Sequence, residues 1–385
     1  MNPSLRSKLR EDLRADAARL TALADRHGTP LLVLRPQLVA RRYRELAERL
    51  PGFRLHYAVK ASPHPIVLST IAICGGGFDV ASSAEVALLH ELGLPMDRCI
   101  HTHPIKKPVD IDVAYAAGIR TFVVENLCEV QKFAGRPSDI ELVRLAFRNP
   151  AAKSNLSTKF GVEPADAELL VKHVIGAGVQ FAGFSFHVGS QSASARPYGT
   201  ALSGTLDVIS HIAESLGVHT RVIDIGGGFP VAYREPMPTI DAIGDVIDAA
   251  LGSARDDFAL LAEPGRYLAA DCMTLLTSVV GTAERDGQVW HYLDDGVYGS
   301  YSNVMTEDVH PPILALRELT EDGASDFEQT TLAGPTCDSA DVVARDYPMP
   351  ALEVGDLLVS PMMGAYTAVT SSRFNGIPAT PVVMA

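Results

Sequence analysis

Leu55-His56-Tyr57-Ala58-Val59-Lys60-Ala61-Ser62 is the stretch whose reading decides the fold. Leu55, Tyr57 and Val59 alternate with His56, Ala58 and Lys60, the two-residue period of a strand, and Pro63 and Pro65 stop the pattern. Lys60 is therefore expected at the C-terminal end of a strand. Most lysines are solvated surface charges, but an amine flanked by apolar residues is suited by desolvation to form a Schiff base with a carbonyl.

Working outward, short apolar runs recur at 54–60, 77–80, 98–101, 121–124, 141–147, 181–188, 221–225 and 258–263. Helix-like stretches at 83–92, 126–133, 164–175 and 202–216 lie between them, and Asn126 and Glu129 have the spacing of a capping box. Strands alternating with helices in this number predict a parallel (β/α)8 barrel. The alternative, a doubly wound open sheet, usually stops nearer about six strands.

Ahead of the barrel, residues 1–25 predict one amphipathic helix carrying Leu5, Leu9, Leu13, Leu20 and Leu23, and Leu31 to Leu34 read as a short strand. Pro36 opens a helix with Val39, Tyr43, Leu46 and Leu50 on one face. After Arg266 the rhythm changes to β-branched runs at 273–282, 288–294, 352–360 and 381–384 with Gly and Pro turns, which predict an antiparallel β domain. The expected organisation is an α/β barrel over 36–270, a C-terminal β domain over 271–385, and an N-terminal helix and strand over 1–35 that join the β domain.

A formal charge of −13 disfavours nucleic acid or an anionic membrane as partner and welcomes cationic small molecules. Cys74, Cys99, Cys128, Cys272 and Cys337 are odd in number and show no metal-ligand spacing, which argues against disulfides and a metal centre. The mixed-charge N-terminus is unlike a signal peptide and no run has the length of a membrane span, so a cytoplasmic protein is expected.

On a barrel, chemistry gathers at the C-terminal ends of the strands. Lys60, Asp79, His187, Gly226-Gly227-Gly228 and Glu263 all fall there, with Arg266 three residues further on. Each has a plainer reading: a surface lysine, a satisfied buried histidine, a flexible turn, a surface arginine. A glycine triplet after a late barrel strand nevertheless suits a phosphate nest, and Arg266 would complete an anion site. Glu263 closes an apolar run, where an unpaired carboxylate is costly, and a protonated pyridine nitrogen would satisfy it. Together the set matches pyridoxal phosphate, whose pyridinium form stabilises the carbanion left when CO2 or a proton departs from Cα.

The motifs YAVKA (57–61), FDVAS (78–82), HVGS (187–190), GGGFP (226–230), EPGR (263–266), GPTCD (334–338) and GAYT (364–367) occur in an order that resembles the fold type III pyridoxal-phosphate decarboxylases. This is the ornithine and diaminopimelate decarboxylase group, and the resemblance to its ornithine branch is strongest. It implies that Lys60 carries the cofactor and that His187 stacks on its ring. It implies that Ser190, Gly226, Gly227, Gly228, Arg266 and Tyr366 hold the phosphate, and that Glu263 faces the ring nitrogen. Asp79 and Arg144 are implied as further cofactor contacts. It also implies a homodimer in which Cys337, the acid that protonates Cα, and Asp338 enter the partner's site, with Lys159 and Asp341 bridging the subunits. Tyr298, Asp338 and Phe374 are implied in the substrate pocket.

Asp338, where diaminopimelate enzymes carry glutamate, favours a substrate with a distal ammonium, ornithine or lysine, giving putrescine or cadaverine. One departure leaves the substrate open. Glu307 stands where ornithine enzymes place an aspartate, and it reaches about 1.5 Å further. It suits a shorter substrate such as 2,4-diaminobutyrate, or a guanidinium as in arginine, or else Asp308 takes over the usual task. A racemase on the same barrel and a non-catalytic homologue are the rival readings. Glu263 argues against the first and the retained cofactor residues against the second.

Overall fold

The computed structural model describes residues 3–136, 140–154, 156–320 and 326–385. The chain divides into two compact units, one of Met1–Leu38, Ala232–Pro236 and Ala269–Ala385, the other of Val39–Val231 and Met237–Leu268.

The second of these is a closed parallel barrel. Its strands are, in chain order, Phe53–Ala58, Gly77–Val80, Cys99–His101, Thr121–Val124, Ile140–Arg144, Gln180–Ser185, Val222–Asp224 and Ala259–Ala262. Leu261 opposite Arg54 and Ala262 opposite Leu55 close the ring between its eighth and first strands. The interior is filled by Val123, Leu142, Ala182 and Leu261, branched or small side chains that pack without polar atoms needing partners. Because helices cover the outside, the described barrel strands are buried except near their first residues and read as largely apolar runs. Asn126 caps its helix by accepting from the Glu129 amide at 3.0 Å. The capping box is only half formed, because the Glu129 carboxylate turns to the Lys106 amide (3.1 Å) instead.

In the other unit Leu31–Leu34 is a central strand, antiparallel to Met273–Arg285 and parallel to Val382–Met384. The main sheet path runs Leu314–Ala315, Leu357–Ser360, Met273–Arg285, Gln288–Leu293, Phe327–Ala333, Val342–Pro350. It is mostly antiparallel, but Gln288–Leu293 and Phe327–Ala333 pair in parallel. The expected single N-terminal helix is two, Pro3–Arg14 and Ala17–His27, broken where the Asp16 amide bonds back to Leu13 O. Arg6, on the first helix, reaches the buried Glu318 carboxylate with two bonds of 2.8 and 2.6 Å. Ala232–Pro236 joins this unit through Arg234, which donates twice to Pro311 O and lies over the Tyr347 ring. No helix among the described residues is long and apolar enough to cross a membrane.

Candidate active site

Lys60 does not end its strand. The strand stops at Ala58, and Val59–Ala61 form one 3-10 turn that buries Val59 and Ala61 while lifting the lysine clear. The Lys60 side chain is 45% exposed, so its immediate control is charge rather than desolvation. Its Nζ lies 3.3 Å from Oδ2 of Asp79, a buried carboxylate on the next strand, whose Oδ1 accepts from Thr102 Oγ1 at 2.5 Å.

His187 follows the sixth strand by two residues. Its Nδ1 accepts the Gly189 amide at 2.9 Å, which leaves the ring hydrogen on Nε2. Burial first, then the charges of Arg144 and Lys60, hold its pKa well below the usual value, so it presents a neutral flat face.

The glycine triplet is required by packing. A Cβ would stand 2.3 Å from Phe186 O at Gly226, 2.5 Å from Glu263 O at Gly227 and 2.3 Å from Gly189 O at Gly228, and Gly226 and Gly228 have φ of +65° and +95°. The triplet is thus wedged between the chain leaving the sixth strand and the chain leaving the eighth. Tyr198 Oη donates to Gly227 O at 3.0 Å from below. Ser190 sits in a two-stranded ladder, Ser190–Ser192 with Ala152–Ser154. Beside it, Gln191 locks Val231 in both directions, Nε2 to Val231 O at 2.9 Å and the Val231 amide to Oε1 at 2.7 Å. Gln191 holds φ +53° to do so, a conformation that side chains other than glycine adopt at some cost.

Glu263 is 7% exposed and adjoins Asp224, whose Oδ1 accepts the Gly226 amide at 2.9 Å. Burial pushes the Glu263 carboxyl well above its ordinary range, and the charges of Asp224 and Asp79 push it further. Arg144 is buried within reach of these acids and lies 5.5 Å over the Phe160 ring. Among the described residues its Nη2 has no hydrogen-bond partner. Arg266 is 4% exposed and opens the short helix Arg266–Ala269.

These features fit pyridoxal phosphate: an accessible amine, a neutral flat imidazole, a glycine cradle that any Cβ would fill, a buried arginine nitrogen without a partner, and a buried acid suited to a cationic ring nitrogen. Thr102, Gln191 and Asp224 escape a reading of the sequence, since each acts on a residue brought near by folding or by a turn.

In the other unit, Tyr298, Asp338 and Phe374 come together. Tyr298 Oη donates to Asp338 Oδ2 at 2.6 Å, and the Tyr298 and Phe374 ring centroids are 4.7 Å apart. Cys337 is exposed, and its amide donates to Asn375 Oδ1 at 3.1 Å, so Asn375 fixes the thiol's loop. Asp341 is buried and accepts the Val297 and Thr336 amides at 2.9 and 3.0 Å, while Lys159, in the barrel unit, lies exposed over Phe160. Glu307 and Asp308 part company. Glu307 is half-buried, whereas Asp308 takes φ +52° as the helix cap and faces His310 Nε2 at 2.9 Å. Tyr366 is half-buried at φ +54°.

The pyridoxal-binding domain of the pyridoxal-dependent decarboxylases matches residues 37–270. The lysine/ornithine decarboxylase of Selenomonas ruminantium is 36% identical over 97% of this chain and 94% of its own length. The lysine/ornithine decarboxylase of Vibrio vulnificus, solved with putrescine, superposes with a TM-score of 0.89 at 38% identity, covering 96% of this chain and 98% of that one. The arginine decarboxylase of Paramecium bursaria Chlorella virus, bound to agmatine, gives a TM-score of 0.89 at 27% identity, covering 96% and 100%. The chain belongs to the fold type III pyridoxal-phosphate-dependent decarboxylase family that holds the ornithine and lysine enzymes.

Proposed function

We propose that the protein releases CO2 from ornithine or lysine, leaving putrescine or cadaverine. The buried Glu263, a carboxyl costly to ionise without a cation beside it, carries this reading. As a carboxylate facing the ring nitrogen it would hold that nitrogen's proton, and the cofactor would then supply the electron sink that decarboxylation needs. Lys60 would anchor the aldehyde, and the neutral His187 would cover the ring. The nest at Gly226, Gly227 and Gly228, with Ser190, Arg266 and Tyr366, would receive the phosphate, and Asp79 and Arg144 would set the surrounding charge. Asp338, held in place by Tyr298, and Glu307 receive the distal ammonium, with Phe374 as the apolar wall.

We further assign Cys337 as the acid that delivers a proton to Cα. Its exposure on a loop fixed by Asn375 suits a thiol that works in a second subunit of a homodimer, together with Asp338. Lys159 would pair there with the partner subunit's Asp341. The five free cysteines suit a reducing cytoplasm. Arginine is the second reading, favoured by the longer carboxylate of Glu307.

CO2 release from L-ornithine, L-lysine, L-arginine, 2,4-diaminobutyrate and meso-diaminopimelate, with pyridoxal phosphate added, tests the assignment. Turnover of ornithine or lysine above the others supports it, preference for arginine or diaminobutyrate transfers specificity to Glu307, and no CO2 from any of them overturns it.

A further inference from the structure

We infer that Thr102 is a positioning residue for Lys60, acting through Asp79. The three residues lie at the C-terminal ends of neighbouring barrel strands: Lys60 and Thr102 just after the first and third, Asp79 one residue before the end of the second. Asp79 and Thr102 are 2% and 5% exposed, and a carboxylate this buried is costly unless both oxygens are engaged. The structure divides them. Oδ1 takes the Thr102 hydroxyl at 2.5 Å, a charge-assisted bond, and Oδ2 is left for Lys60 Nζ at 3.3 Å. The hydroxyl thereby fixes the carboxylate plane and admits the lysine on one side only.

Without that bond the carboxylate turns both oxygens to the ammonium, holding it protonated and out of line. Capture of an aldehyde joins Nζ to the carbonyl carbon, sends the carbonyl oxygen off as water and returns the surplus ammonium proton to solvent, so it begins from the neutral amine. Thr102 keeps that amine accessible. The inference rests on Lys60 being the cofactor's anchor.

The test compares Thr102→Val, which keeps shape and loses the hydroxyl, with Thr102→Ser, which keeps the hydroxyl and loses the methyl. Apo-protein is mixed with pyridoxal phosphate, and the rate of the absorbance rise near 420 nm and the cofactor Kd are recorded. Borohydride trapping and peptide mapping then locate the adduct. Thr102→Val is expected to slow capture and raise Kd by about tenfold, with Thr102→Ser within about twofold of wild type. If Thr102→Val matches wild type, or Thr102→Ser is the worse variant, Thr102 is a packing residue and the inference fails. If Thr102→Val does not fold, Thr102→Ala against Thr102→Ser makes the same comparison. An adduct away from Lys60 in wild type sinks the parent reading instead, a result distinguishable from failure of the Thr102 role.

Discussion

Tyr298 donates a 2.6 Å hydrogen bond to Asp338, while its ring packs 4.7 Å from that of Phe374. One side chain thus orients the carboxylate proposed for the distal ammonium and braces the pocket's apolar wall. The Ala340 amide and then Tyr298 hold the Asp338 pKa below the ordinary value, so it is ionised throughout the neutral range. Tyr298→Phe keeps the ring contact and removes the donor. KM for ornithine or lysine should rise by about threefold to tenfold with kcat little changed, and the acid limb of kcat/KM should move to higher pH. Steady-state kinetics across pH check both.

Glu263 and Asp224 make the cofactor-free protein sensitive to alkali. Burial raises both carboxyl pKa values above those of the unfolded chain. Between the unfolded and folded values the native state binds more protons, so stability is full at low pH and falls as pH rises through the folded values. Glu263→Gln removes the shared burden and should flatten this slope in urea unfolding of apo-protein between pH 5 and 8. The same variant should lose about a hundredfold or more in CO2 release, because an amide does not hold the ring nitrogen's charge.

Gln191 joins the chain around Ser190 to the chain after the glycine triplet. Gln191→Glu keeps its length but cannot donate to Val231 O, at a cost of about 1–3 kcal/mol for the unsatisfied buried carbonyl. Affinity for pyridoxal phosphate should fall roughly tenfold while affinity for pyridoxal, which lacks the phosphate, stays near wild type. Parallel titrations with the two ligands separate a phosphate effect from general loosening.

Legibility in the sequence followed the range of the interactions. The barrel was readable because its strands are buried along most of their length and its cofactor residues lie in contiguous motifs such as HVGS and EPGR. Phe327–Ala333 and Val342–Pro350 were not, since the first begins with three exposed residues and the second carries Arg345, Asp346, Pro348 and Pro350. Val342–Pro350 is an edge strand, a position that tolerates charges and prolines, but no local pattern announces it. Thr102 is silent for the same reason: its meaning comes from Asp79, 23 positions earlier.

Glu307 and Asp308 are neighbours with opposite expected weights. Asp308 is the exposed helix cap facing His310, so Asp308→Asn should leave KM for the diamino acid unchanged. Glu307→Gln should raise it by about tenfold or more, since an ammonium then faces a neutral amide. Substrate titrations of the two variants side by side decide between them, and the reverse order of effects would reassign the distal contact to Asp308.

The central claim is that Lys60 is the residue on which the chemistry of the barrel turns. Holoenzyme reduced with borohydride, digested and mapped by mass spectrometry tests it most directly. The account predicts a pyridoxyl group on Lys60, with the adduct absent and CO2 release nearly abolished in Lys60→Ala. A pyridoxyl group on another lysine, or a Lys60→Ala protein that turns over like wild type, would contradict it.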